Sequence, residues 1–207
     1  MDVEEAASGM PAFTRPPSSL QLRSSKIRQH VRRGDIEGVR QELAAGVDIN
    51  VSATPGVDNM YRMSILHEAV HRGHRDMVAF LLQNGADPNG RSRWTPLMYA
   101  AVNDDAAIAE LLLDAGADPS TTDWGGHTPA SLARINHFAI QARRLIQQGR
   151  SPALYAADAS DRTVLEKCDE WEVEKGAVRR VLDAFAALPG DTPQEKLRNK
   201  KALGLSS

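Results

Sequence analysis

In the middle of the chain, apolar residues recur at helical spacing in short blocks, each closed by glycine. Ile27, Val31, Ile36, Val39 and Leu43 form one stripe, punctuated by Gly34-Asp35 and closed by Gly46-Val47-Asp48-Ile49-Asn50. Met77, Val78, Leu81 and Leu82 form the next, and Ile108, Leu111 and Leu112 a third. Steps of three and four place each set on one face of a helix. A shorter helix is expected before the second and third blocks. It carries small residues at one level, Ala69-Val70 and Ala100-Ala101, with Ala133 following in a later copy. Alanine there lets neighbouring helices approach closely. Gly85 and Gly116 stand where a helix C-terminus takes a left-handed residue, and the Asp-Pro that follows each glycine region ends the helix in a turn.

These blocks are copies of one unit. It begins at Ser64-Ile-Leu-His67-Glu-Ala69, again at Thr95-Pro96-Leu97-Met98-Tyr99-Ala100, and a third time at Thr128-Pro129-Ala130. Thr95 to Thr128 is 33 residues, as is Gly116 to Gly149, and Ser64 to Thr95 is 31. Serine or threonine can cap the helix, and proline is tolerated at its first turn because no N–H is required there. The period and the starts resemble the ankyrin repeat, a unit of about 33 residues opening T-P-L-H-x-A. The resemblance implies an all-α solenoid with short β-hairpin fingers, in which stacked units bury what no unit buries alone.

On that reading, residues 1–23 are a disordered N-terminal tail and 24–168 an ankyrin domain. Its repeats are expected at about 25–50, 64–94, 95–127, 128–150 and, degenerate, 151–168. The first finger is enlarged by the insertion Ser52–Met63. The link Asn89–Trp94 is two residues short, so its finger should be clipped, and Asp123 to His127 is a full-length finger. Trp171, Val178, Val181, Leu182, Phe185 and Leu188 share a helical face, predicting a capping helix over 169–190 with a weak point or break at Gly176. Residues 191–207 read as a disordered basic tail.

Composition narrows the function class. The net charge of −2 argues against a generic polyanion binder, and nucleic acid is disfavoured because the basic residues are interleaved with Glu37 and Glu68. The one cysteine, Cys168, excludes an internal disulfide and fits the cytosol or nucleus. No run approaches a membrane span, the acidic N-terminus does not read as a secretion signal, and no cofactor motif stands out.

Two strings invite sharper readings. His67-Glu68-Ala69-Val70-His71 spells H-E-x-x-H, which on a helix places two zinc ligands on one face with Glu68 as base. Against this, His67 occupies the repeat's own histidine slot, which the resemblance makes structural, and no third ligand stands out. Thr163-Val-Leu-Glu-Lys-Cys168 with Leu188-Pro189 partly resembles the SOCS box of cullin-type ubiquitin-ligase adaptors, at imperfect spacing. The degenerate repeat explains the same residues.

The resemblance implies non-catalytic protein binding, with first helices and fingers lining a concave groove. Its variable slots fall on Gln29, Arg32 and Arg33; Glu68, His71 and Arg72; Tyr99, Val102 and Asn103; and Leu132, Ile135 and Asn136. The groove is then basic at one end and aromatic and aliphatic at the other, with Trp94 and Trp124 at the fingers. Each tryptophan is either a binding anchor or packing for its neighbouring finger. The expected partner is a protein segment with an acidic part and an apolar anchor.

Overall fold

A computed structural model describes residues 19–51, 63–90, 92–136 and 176–204. The expectations for residues 1–18, for most of the Ser52–Met63 insertion, for the degenerate repeat at 151–168 with Cys168, and for Trp171 lie outside those residues. The helices are α1 (Ser19–Arg33), α2 (Ile36–Ala44), α3 (Ile65–His71), α4 (Arg75–Gln83), α5 (Pro96–Asn103) and α6 (Ala106–Asp114). They are followed by α7, described over 129–136, then α8 (Ala177–Ala186) and α9 (Pro193–Ala202). No strand forms among the described residues. The fingers there are turns, such as the one that Asp123 N–H closes onto the His127 carbonyl at 3.0 Å.

Each helix pair begins as the residue types dictate. The Ser64 hydroxyl accepts from the His67 amide, and Thr95 accepts from the Met98 amide with Pro96 in the first turn. Asp35 and Asp105 cap the second helices α2 and α6 through the amides of Gly38 and Ile108. The first helices α1, α3 and α5 pack in series, as do the second helices α4 and α6. Between them lies one apolar core that includes Ile27, Val31, Ile65, Leu66, Val78, Leu81, Leu97, Ile108 and Leu112, each at most 1% exposed. Alanines 69, 100 and 101 are fully buried at the contacts between first helices. Polar bonds repeat from unit to unit. Asp87 N–H donates to Asn50 Oδ1 at 2.9 Å, and Asp118 N–H donates to Asn89 Oδ1 at 2.8 Å.

The turn between paired helices needs a left-handed residue. Gly34 and Gly73 supply it at φ 71° and 70°, but the third unit uses Asp104 at φ 53°. Aspartate tolerates this region better than most side chains. Here its carboxylate also accepts from the Val178 amide at 3.0 Å, at the start of α8. Val178, Leu182 and Phe185 are buried, and α8 lies against α6 and α5. Gly176 is its N-cap, and residues 169–175 of the expected capping helix lie outside the described residues.

Two boundaries move. Helix α1 starts at Ser19, inside the expected N-terminal tail. The expected disordered tail at 191–207 is mostly helix α9. Thr192 and Glu195 form a reciprocal capping box with Pro193 in the first turn. Leu197 is buried near Gly116, Lys200 pairs with Asp114, and Lys196 donates to the carbonyls of Ala186 and Leu188. A polar helix is thus fixed by its cap and by contacts to α6 and α8.

Asp104→Ala is expected to lose about 1–2 kcal/mol, because it forfeits the bond to Val178 while keeping a left-handed backbone. Asp104→Gly relieves the backbone but not the lost bond. Amide exchange over residues 177–186 should therefore quicken in both variants, while the unfolding midpoint falls mainly in the alanine variant.

Candidate functional site

The first helices α1, α3 and α5 present a continuous row of side chains. At its basic end stands Glu68, only 7% exposed on α3. Arg32 Nε–H donates to Glu68 Oε1 at 2.9 Å, and Arg72 Nε–H donates to the same oxygen at 2.7 Å. Burial is the largest single influence on this carboxyl and pushes its pKa up. The hydrogen bonds and charges of Arg72 and Arg32 together outweigh it, so the pKa lies below the usual value and Glu68 stays ionised. Arg33 and Gln29, both expected in the groove, are exposed on α1 and take no part in this ion-pair network.

Sequence reasoning missed Arg28. It lies one turn before Arg32, within electrostatic range of Arg32 and Glu68. Its guanidinium is partly buried and its pKa lowered, first by burial, then by the like charge of Arg32, with Glu68 opposing. Its Nε and Nη2 are shielded from solvent and meet no acceptor. The signal was available: Ile27 and Val31 point into the core, which places the 28/32 pair together on the adjoining edge.

Next along the row is an aromatic cluster around Tyr99. Its ring meets His71 edge-on with centroids 5.6 Å apart, Trp94 at 5.4 Å and His67 at 6.1 Å. Burial raises the Tyr99 hydroxyl pKa. The two tryptophans divide between the alternatives. Trp94 is packed, and its indole N–H donates to Asp123 Oδ2 on the neighbouring finger at 3.1 Å. Burial pushes the Asp123 carboxyl up most strongly, but bonds from the His127 amide, Trp94 and the His127 ring bring it below its ordinary value. Trp124 is 79% exposed.

Asn103 and Asn136 serve the stacking. Asn103 Nδ2 donates to the carbonyls of Val70 and His71 at 3.4 and 3.3 Å, and Asn136 Nδ2 donates to the Val102 carbonyl. Leu132 is 8% exposed and belongs to the core, while Ile135 is half-buried. The aliphatic end of the expected groove is therefore mostly closed, and the accessible apolar surface is aromatic.

The H-E-x-x-H string has no free ligand at its first position. His67 Nδ1 accepts from the Ser64 amide at 3.1 Å, so its proton sits on Nε2, which donates to the Trp94 carbonyl at 3.1 Å. Burial drives its pKa down to about 4. Glu68 is held by two arginines and faces the groove. Among the described residues no three His, Cys, Asp or Glu side chains are grouped to hold a metal ion. In the next unit Met98 fills the histidine position, and no side-chain bond ties it to the following finger. A cavity of about 430 Å³ opens there, lined by residues including Met98, Arg93, Thr121 and Trp124.

Residues 27–123 match the family model for ankyrin repeats (3 copies). The chain is 35% identical over 105 residues to E3 ubiquitin-protein ligase Ufd4 of Drosophila melanogaster, covering 50% of this chain and 4% of that protein. It is 47% identical over 64 residues to Ankyrin repeat and SOCS box protein 16 of Mus musculus, covering 30% and 14%. Against Protein phosphatase 1 regulatory subunit 27 of Homo sapiens it is 32% identical over 105 residues, covering 50% and 65%. The chain thus spans less than two thirds of each of these relatives.

Proposed function

Because the chain belongs to the ankyrin-repeat family, we propose that it is a non-catalytic adaptor or regulatory subunit that binds a partner protein along its first helices and fingers. The observation that supports this reading most directly is the row itself. Basic charge at Arg32 and Arg72 passes into the His71–Tyr99–Trp94 cluster and ends at a tryptophan that nothing covers. Tryptophan, tyrosine and arginine are the residue types that dominate binding hot spots, and here Trp124 is the exposed one. The partner segment this surface fits has acidic and apolar parts. The two engaged nitrogens of His67 argue against zinc hydrolysis at this string. The relative named a phosphatase regulatory subunit supports a regulatory role, and the single cysteine fits a cytoplasmic or nuclear setting.

A second reading, a substrate adaptor of a cullin-type ubiquitin ligase, draws on the relatives named as a ubiquitin ligase and a SOCS box protein. The residues 163–168 that prompted it lie outside the described ones.

Affinity capture tests both. The variant Tyr99→Ala with Trp124→Ala is expected to fold and to lose partners that the unaltered protein retains. Retention of every partner by that variant would refute the groove. A cullin captured by both proteins would move the conclusion to the ligase adaptor.

A further inference from the structure

Resting on the groove reading, we propose that its basic end is a seat for a phosphorylated side chain, and that the partner segment carries phosphoserine or phosphothreonine there. Arg28, Arg32 and Arg72 bring three positive charges, and Glu68 returns one negative, leaving +2 at one end of the row. A phosphoserine carries about −1.5 to −2 at neutral pH, whereas aspartate or glutamate carries −1. The dianion matches the imbalance, and a carboxylate leaves half of it.

The donors also match in kind. Arg28 Nε and Nη2 form the side edge of a guanidinium, the fork that takes two oxygens of one oxyanion. Both are without an acceptor. Leaving such donors buried and unpaired is unfavourable, and an arriving oxyanion removes that penalty. Arg32 and Arg72 each spend only Nε on Glu68, so their terminal nitrogens stay available for the remaining phosphate oxygen. Glu68 holds those two guanidiniums in place and keeps them from splaying into water. Because Nε and Nη2 are shielded in this structure, binding requires the half-buried Arg28 side chain to rotate outward as the ligand arrives. The Tyr99 cluster, next in the row, receives the apolar residues that flank the phosphoryl group.

The test is fluorescence anisotropy on the full chain with three peptide pools. Each has random flanks and one fixed central residue: phosphoserine, glutamate or serine. The phosphoserine pool is expected to bind about tenfold more tightly than the serine pool and several-fold more tightly than the glutamate pool. Arg28→Gln should erase that preference. Arg28→Lys, which keeps the charge without the fork, should retain only a minor part of it. Unfolding midpoints of both variants confirm that the fold is intact. Equal binding of phosphoserine and glutamate pools, or an undiminished preference in Arg28→Gln, overturns the phosphate seat. If all three pools bind alike and Tyr99→Ala weakens all of them, the seat falls while the groove reading stands. If no pool binds and Tyr99→Ala with Trp124→Ala still captures every partner, both fall.

Discussion

Acidification from pH 7 to pH 4 is expected to take about 3 kcal/mol from the fold through His67 alone. Its imidazole is 1% exposed, accepts at Nδ1 and donates at Nε2, and has no place for a second proton. The folded pKa is about 4, against an ordinary value of 6.5. In the window between, the unfolded chain binds a proton that the folded chain refuses. Stability therefore rises with pH across that window. The contribution is intact above about pH 6.5, roughly 2 kcal/mol is gone by pH 5, and the loss is complete somewhat below pH 4. The depressed carboxyls, Glu68 and Asp123 among them, add their own acid loss at lower pH, as they are protonated in the folded state. Urea unfolding at pH 7, 6, 5 and 4.5 checks this. His67→Met, which copies the next unit, should be less stable at pH 7 yet lose much less between pH 7 and 5. An unchanged slope in that variant would assign the acid sensitivity to other groups.

The repeat core was legible because stacking leaves a strong mark on sequence. Small residues at Ala69 and Ala100, the three-and-four spacing in α4 and α6, and the capping hydroxyls of Ser64 and Thr95 each follow from local geometry that any copy must satisfy. The helix at Pro193–Ala202 was harder to see because its apolar content is slight, with only Leu197 buried. Its stability comes from partners distant in sequence, above all Asp114. Its cap, Thr192-Pro193-Gln194-Glu195, was nonetheless a readable start signal.

The candidate site was legible by position and not by role. The repeat period places slots on successive first helices, and the side chains of Arg32, Glu68, Arg72 and Tyr99 lie along that row. What each side chain does there depends on its neighbours. Asn103 and Asn136 are spent on carbonyls of the preceding unit, and Leu132 turns into the core. Trp94 finds Asp123 twenty-nine residues away, while Trp124 finds nothing comparable. Arg28 reads in the sequence as one of several basic residues on the polar outer face of the first unit, and the buried pair Ile27 and Val31 places it beside Arg32.

Glu68→Gln should move stability and binding in opposite directions. The carboxylate is nearly buried, while Arg32 and Arg72 remain about half exposed, so part of their charge is solvated without it. Breaking a fully buried pair costs about 3–5 kcal/mol, and this exposure reduces the expected loss to roughly 1–3 kcal/mol. Glutamine keeps one acceptor oxygen, which limits the disorder of the arginines. The basic end meanwhile rises from +2 to +3, so a phosphorylated segment should bind several-fold more tightly at low salt, with steeper weakening as salt is added. A Glu68 that instead contacts a basic residue of the partner predicts weaker binding for the same substitution. Measuring the unfolding midpoint and the phosphoserine-pool affinity on one preparation separates the two. A less stable protein that binds more tightly identifies Glu68 as a contact of the fold whose charge offsets the arginines without touching the partner. A less stable protein that binds more weakly makes Glu68 itself a contact and removes the charge argument for the phosphate seat.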